Sequence, residues 1–395
     1  MAGTLAGAGI VWQTPANPPE AQDYIFHNGR RYVRPYYFEF ISHAKNRWAG
    51  KTIVDLFTEE FKGRPREYYV GRQHSLLIIL AHAVKCGRLQ VDEQMVHADY
   101  IVKSSQKISH FLHRHEPPVL GGNIVILQNE VDVVTVCKPA SVPVHPCGQY
   151  RKNTVVGIMQ AEHGLSPLFL HRLDRLVSGL LIFAKSAARA ESFRQQIEAN
   201  LLQKEYVAKV VGVFPDGERT VDANVNFNAR EGRSTVEVCD GSGKALPSGK
   251  QACTKFQRIC TDGNHSIVLC KPVTGRTHQI RVHLKHIGYP IANDELYLSG
   301  NFCPRSSKGT SINRATSLAC SSLSSDPDCV AEADLEFDID AMCTNCPNLA
   351  PVGYDGDEEG LWLHCVRYTG PDWSFECPYP DWTSLDNVSR KKMKS

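Results

Sequence analysis

Long hydrophobic runs are missing from this 395-residue chain, and no apolar stretch approaches the roughly 20 residues that a membrane-crossing helix requires. A secretory leader is also missing: Met1–Gly9 is small and apolar but has no basic segment, and it lacks the arginine richness of a transit peptide. The expected protein is therefore soluble and intracellular, in the cytoplasm or the nucleus. The 14 cysteines are scattered and mostly single, which excludes a disulfide framework. Metal-ligand spacing is poor too. Cys343, Cys346, Cys365 and Cys377 supply four thiols, but only the first two have the Cys-x-x-Cys spacing of a zinc knuckle. His278, His283 and His286 do not share one helical face, and Arg281 beside them would repel a cation. No metal and no cofactor are expected.

Positive charge is missing from one long region, with no Lys or Arg between Arg314 and Arg367. Residues 315–395 hold 5 Lys+Arg against 15 Asp+Glu, leaving 39 against 27 for residues 1–314, so the small net charge of +2 conceals a basic body and an acidic tail. A basic body suits a phosphate-bearing partner, since Lys and Arg displace its condensed counterions. The Ser-, Asp- and Cys-rich stretch that begins near Pro304 is too polar to bury a core of its own and reads as a disordered insert.

What is present is a globular pattern. Between Tyr24 and Tyr37 aromatics alternate with arginines, which suits either base stacking or an aromatic strand over the core. Ile53, Leu56, Phe57 and Phe61 mark one face of a helix over 48–61. A second apolar helix is expected over Ser75–Lys85, followed by strands at Leu89–Val91 and Tyr100–Lys103. From Ile124 the pattern becomes a hairpin (Ile124–Leu127 and Val131–Lys138) and a helix between Thr154 as N-cap and Gly164 as stop. A strand at Gly179–Ala184, a helix from Ala187 to Leu202 and strands at Tyr206–Val213, Thr254–Arg258 and Ser266–Lys271 follow, and Leu361–Tyr368 is again strand-like. The sum is a mixed α+β fold with a mostly antiparallel sheet and flanking helices.

Three stretches carry chemistry. His171-Arg172-Leu173-Asp174-Arg175 sets a carboxylate between two guanidiniums just before an apolar strand, where a charged cluster needs pairing or a purpose. Lys204-Glu205-Tyr206 opens a strand, where a tyrosine is ordinarily core. In Gly275-Arg276-Thr277-His278-Gln279-Ile280-Arg281, the apolar Ile280, Leu284 and Ile287 define one helix face, and His278, Arg281 and Lys285 line another that could meet a carboxylate or a phosphate.

Taken in order, His-Arg-Leu-Asp-Arg…Ser-Gly, Lys-x-Tyr-x-Ala and Gly-Arg-Thr-His-Gln-Ile-Arg-Val-His resemble the motifs of the RluA-type pseudouridine synthase family. The resemblance covers residues 124–300 and resumes at Trp362-Leu363-His364…Tyr368; His113-Arg114-His115-Glu116-Pro117-Pro118-Val119 resembles the eukaryotic branch. It implies an enzyme that isomerises uridine to pseudouridine in tRNA, rRNA or mRNA, acting as a monomer, away from membranes and without a cofactor. It further implies Asp174 as the catalytic carboxylate, Tyr206 as the residue stacked on the target base, Arg281 as the ion-pair partner of Asp174, and Arg172, His171, Arg276 and His278 as substrate contacts. Arg175 keeps a supporting role, as a phosphate contact. The carboxylate could attack C1′ or C6 of the nucleotide or remove a 2′ proton. An opposing arginine would hold it ionised.

Residues 72–120 also resemble, in degenerate form, the S4 RNA-binding module, with Asp92-Glu93 at its Asn-Gly step. The expected division is a partly flexible N-terminal extension (1–71), the S4-like module (72–120), the catalytic domain (121–303), the acidic insert (304–358), a return to the catalytic sheet (359–385) and a basic tail (386–395). One alternative is a catalytically idle RNA-binding protein of the same fold. A deaminase is excluded, since the His-x-Glu and Pro-Cys-x-x-Cys zinc signature is missing.

Overall fold

The computed structural model describes residues 18–60, 83–166, 168–229, 231–236, 249–298 and 337–385, the last without 342, 344, 353 and 355–358. In chain order the strands are β1 (Tyr24–His27), β2 (Arg30–Val33), β3 (Tyr36–His43), β4 (Leu89–Val91), β5 (Gln94–Met95), β6 (Lys107–Arg114) and β7 (Val119–Leu120). Next come β8 (Val125–Asn129), β9 (Val133–Lys138), β10 (Leu168–Phe169), β11 (Ser178–Ala184), β12 (Gln203–Val211) and β13 (Glu218–Asp222). The last are β14 (Val225–Asn228), β15 (Arg233–Val236), β16 (Cys253–Thr261), β17 (His265–Pro272), β18 (Leu363–Thr369) and β19 (Ser374–Glu376).

Ten strands form the main sheet, in the order β13-β16-β17-β12-β18-β11-β9-β8, with β10 beside β11 and β19 beside β18. The hairpin expected from Gln128-Asn129-Glu130 is the β8–β9 pair, Val125 opposite Cys137. In β11, Leu180, Leu181, Ile182 and Phe183 are all buried, so both faces of this strand are covered and its sequence is a continuous apolar run. The returning segment enters at the centre of the sheet: β18 is antiparallel to β12 and parallel to β11. Gly179 makes that crossing possible. Its φ is +113°, and a Cβ there would stand 2.3 Å from the Cys365 carbonyl oxygen.

Helices flank the sheet. Val155–His163 starts at Thr154, whose hydroxyl accepts the Gly157 N–H, and stops at Gly164 in the left-handed region. Ala187–Glu198 begins in the same way at Ser186, whose side chain accepts the Arg189 N–H. Gln279–His286 buries Ile280 and Leu284, the face its spacing anticipates, but Arg281 is buried as well and is therefore not part of a solvated row.

Toward the N-terminus, β3-β6-β4-β5 form a four-stranded sheet over the helix Ile53–Glu60, whose Ile53, Leu56 and Phe57 are buried. Asp92 and Glu93 both have positive φ, which makes the β4–β5 connection a tight two-residue turn of the hairpin kind. Tyr100–Lys103 contributes only a single bridge, between Ile101 and Thr52. Most of the helix expected over Ser75–Lys85 lies outside the described residues. An S4-like module is not recovered from the described part. The arginine-aromatic stretch from Tyr24 to Tyr37 forms β1, β2 and the start of β3, with Tyr24 and Tyr36 buried, so it covers the core as an aromatic strand would.

Glu116 ties this region to the main sheet. Its buried carboxylate accepts the backbone N–H groups of Arg151, Lys152 and Asn153 and the Tyr36 hydroxyl, all within 3.0 Å. The turn that precedes the Thr154 cap is thus organised by the acidic residue of the His-Arg-His-Glu-Pro-Pro stretch.

Candidate active site

A cleft of about 240 Å³ opens where β12, β18 and the loop before β11 meet the N-terminus of the helix Gln279–His286. His171, Arg172, Asp174, Tyr206, Arg276, His278 and Arg281 all line it. The fold thus brings together these seven residues from three segments spread over more than a hundred positions.

Asp174 sits in the loop between β10 and β11, half-buried, with Oδ2 3.6 Å from His278 Nε2 and 3.9 Å from Arg281 Nη1. The loop is held from beneath by Lys138, at the end of β9. Its fully buried ammonium donates to the carbonyls of Pro139, Val142 and Arg175, the last being the residue after Asp174. Burial pushes this lysine well below its ordinary range, with the neighbouring Arg175 charge adding to the effect. Three carbonyl acceptors nonetheless match the three protons of the charged form. Arg175 turns inward, buried, with its guanidinium 5.9 Å from the Tyr150 ring centre, and not outward to the phosphate expected for it.

Arg281 divides its donors. Nε and Nη2 each bond an oxygen of the buried Asp294 at 2.7 Å, a two-pronged pair that fixes the guanidinium plane and leaves Nη1 toward Asp174. Burial lowers the Arg281 pKa, and the Asp294 hydrogen bonds and charge more than reverse that loss, so it stays charged. His278 adopts φ 55° as the residue preceding the helix. Its Nδ1 meets the Tyr297 hydroxyl at 3.0 Å, and that hydroxyl accepts the Ser234 N–H. This contact turns the ring so that Nε2 faces Asp174.

Tyr206 is at the start of β12, its hydroxyl 3.2 Å from that of Tyr368 on β18. The Tyr368 hydroxyl is in turn 3.2 Å from His171 Nδ1, and His171 Nε2 accepts the Ile182 backbone N–H. An amide can only donate, so Nε2 carries the lone pair and Nδ1 the proton. His171 N–H thus donates to the Tyr368 hydroxyl, which shares a second hydrogen bond with the Tyr206 hydroxyl. Burial, and secondarily the Lys204 charge, lowers His171 to about 3, in keeping with a neutral ring. Burial drives Tyr206 well above the ordinary tyrosine range, so at neutral pH it is a phenol. Arg172 and Arg276 are exposed at the cleft mouth, the second anchored by its Nε to the Gln251 carbonyl.

Asp294, Lys138 and Tyr297 were not legible as site residues. Only the fold shows which partner each of them meets. Tyr368 closes the Trp362-Leu363-His364 stretch, but its place between His171 and Tyr206 depends on β18 entering the sheet centre. The four thiols considered for zinc do not converge: Cys343 and Cys346 lie with His113 and His115, whereas Cys377 lies with Cys137 and His364.

The chain is similar to several known proteins. The family model described as RNA pseudouridylate synthase matches residues 132–286. RNA pseudouridine synthase 7 of Oryza sativa subsp. japonica is 83% identical over 98% of this chain and 99% of its own length. Its namesake in Arabidopsis thaliana is 59% identical over 95% of this chain and 92% of its own. Among solved structures, human RNA pseudouridylate synthase domain containing 4 aligns with 68% of this chain and 93% of its own, at 20% identity and a TM-score of 0.46. With near-full-length identity at this level, this chain belongs to the RNA pseudouridine synthase family.

Proposed function

We propose that Asp174 is the carboxylate that acts on a uridine flipped into this cleft, and that Tyr206 forms the surface on which the base lies. The observation that carries the reading is the position of Asp174 at the meeting point of the His278 and Arg281 donors, on a loop anchored by Lys138. In the reaction the C1′–N1 bond breaks and a C1′–C5 bond forms. C5 loses a proton and N1 gains one, so no electrons and no water are consumed. A carboxylate next to the sugar is the group such a process requires, and His278 and Arg281 beside it fix where it stands. Tyr206, a phenol under neutral conditions, serves as a stacking surface with a hydroxyl fixed by Tyr368.

Extruding a base from its stack costs a few kcal/mol. Arg172 and Arg276 at the mouth, on the basic side of the charge division, supply phosphate contacts that offset this cost. Two Saccharomyces cerevisiae relatives, 38% and 31% identical, are named tRNA pseudouridine(32) synthase, mitochondrial, and tRNA pseudouridine(31) synthase, so tRNA is the first pool to assay.

The experiment uses cellular RNA carrying tritium at uridine C5. Wild-type protein should release tritium to water, and Asp174→Asn should not. Release that survives in Asp174→Asn would refute the assignment of the carboxylate. RNA binding with no release by the wild type would instead favour the catalytically idle alternative.

A further inference from the structure

The geometry points to a structural zinc site formed by His113 and His115, at the end of β6, with Cys343 and Cys346 of the acidic segment. The Sγ atoms of the two cysteines and one ring nitrogen of each histidine all lie within 4.8 Å of one another. His113 Nδ1 is 3.2 Å from His115 Nε2, and Cys346 Sγ is 3.3 and 3.5 Å from those same nitrogens. A tetrahedral zinc with its usual Zn–N and Zn–S bond lengths separates two nitrogens by about 3.3 Å and a nitrogen from a sulfur by about 3.6 Å. The observed edges are therefore those of a ligand tetrahedron, and two nitrogens with two sulfurs are a zinc donor set.

The local structure prepares each donor. His113 lies in β6 and His115 one residue past its end, and the Cys-x-x-Cys spacing lets one turn present both sulfurs. His115 Nδ1 meets the Leu349 carbonyl at 3.2 Å. A carbonyl only accepts, so Nδ1 carries the proton and Nε2 offers its lone pair to the cluster, the outer hydrogen bond that metal-bound histidines ordinarily make. Phe337 and Tyr37 wall the site, their ring centres 6.4 and 4.9 Å from that of His113. His113, His115 and Cys343 are at most 9% exposed, which leaves no open coordination position for a substrate. The site is therefore structural and separate from the cleft around Asp174. Beside it, Arg88 and Asp340 form a buried two-pronged ion pair, with both N···O distances 2.8 Å. Metal and ion pair together fasten the segment after residue 336 to the N-terminal four-stranded sheet. Binding converts two thiols to thiolates and releases their two protons to solvent.

The test is the metal content of the full chain purified under reducing conditions. The expected result is about one zinc per chain, retained in Cys260→Ser, whose thiol is exposed on β16, and reduced at least tenfold in Cys346→Ser and in His115→Ala. Should those variants fail to fold, cobalt decides on the wild type. Reconstitution with Co²⁺ should give the intense visible bands of a tetrahedral ion together with thiolate charge-transfer absorption. Zinc-free protein that gives only the weak spectrum of octahedral cobalt overturns the proposal. So does a zinc content unchanged in both variants, or a Cys343–Cys346 disulfide that persists in reductant.

Discussion

Arg281 is bound more closely to Asp294 than to Asp174: two hydrogen bonds of 2.7 Å against a single approach of 3.9 Å. The buried carboxylate orients the guanidinium, and the half-buried one receives what remains. Asp294→Asn should therefore weaken isomerisation without touching the substrate. The amide presents an N–H to one guanidinium nitrogen and leaves a buried positive charge poorly paired, a loss of about 3–5 kcal/mol for a broken buried pair. Thermal unfolding should show a marked drop in Tm, and kcat/KM should fall at least tenfold. An active variant with wild-type Tm would show that Asp294 does not position Arg281.

Tyr368→Phe removes the hydroxyl between His171 and Tyr206 and keeps the ring in place. A neutral hydrogen bond contributes about 1 kcal/mol, so a fall of about fivefold in kcat is expected, with KM nearly unchanged. Tyr206→Ala should be far more damaging, because it also deletes the stacking surface, whereas Tyr206→Phe should retain most RNA affinity. If Tyr206→Phe and Tyr206→Ala were equally impaired in binding, stacking would not be the role of this ring.

Lys138→Met tests the anchor below Asp174. Methionine has a similar length but no donors, which leaves three carbonyls without the ammonium that bonds them. At about 1–3 kcal/mol for each buried group left unsatisfied, the variant should unfold at clearly lower urea. Any folded fraction should isomerise slowly, since the Arg175 carbonyl no longer restrains the Asp174 loop. A variant as stable and as active as the wild type would remove Lys138 from the account.

How much of this was legible in the sequence follows from the range of each interaction. The Thr154 and Gly164 caps, the β8–β9 hairpin and the Ile280–Leu284 face are set by residues a few positions apart, and local pattern finds them. The cleft residues were found because three stretches, each ordinary alone, resemble in order the motifs of one family. Missing were the relationships that only tertiary convergence creates. Lys138 reads as an ordinary strand end, yet it is completely buried under the Asp174 loop. Cys343 and Cys346 were grouped with later cysteines because sequence proximity suggested it, whereas the fold places them beside histidines some 230 positions away. Arg281 was paired with Asp174 alone, since Asp294 has no partner visible in linear order.

The buried histidines give the protein a pH dependence whose sign can be worked out. Burial lowers His171 to about 3 and His364 to about 4. Burial keeps His364 neutral against the opposing pull of the Pro378 carbonyl at Nε2, and its Nδ1 meets the Ser178 hydroxyl. An imidazole in the unfolded chain titrates near 6.5. Above that value neither state takes up a proton, and these groups leave stability unchanged. As pH falls below about 6.5, the unfolded chain binds protons that the folded protein refuses, so stability is lost, at up to about 1.4 kcal/mol per pH unit for each histidine. The loss continues until pH reaches the folded values. Tm should accordingly decline from pH 7 to pH 5, and His364→Gln should make that decline shallower while lowering Tm at pH 7. The neutral state of His171 should persist over the same window, so kcat should show no inflection near 6.5 from this ring. Parallel declines in wild type and His364→Gln would mean that the titration responsible lies elsewhere.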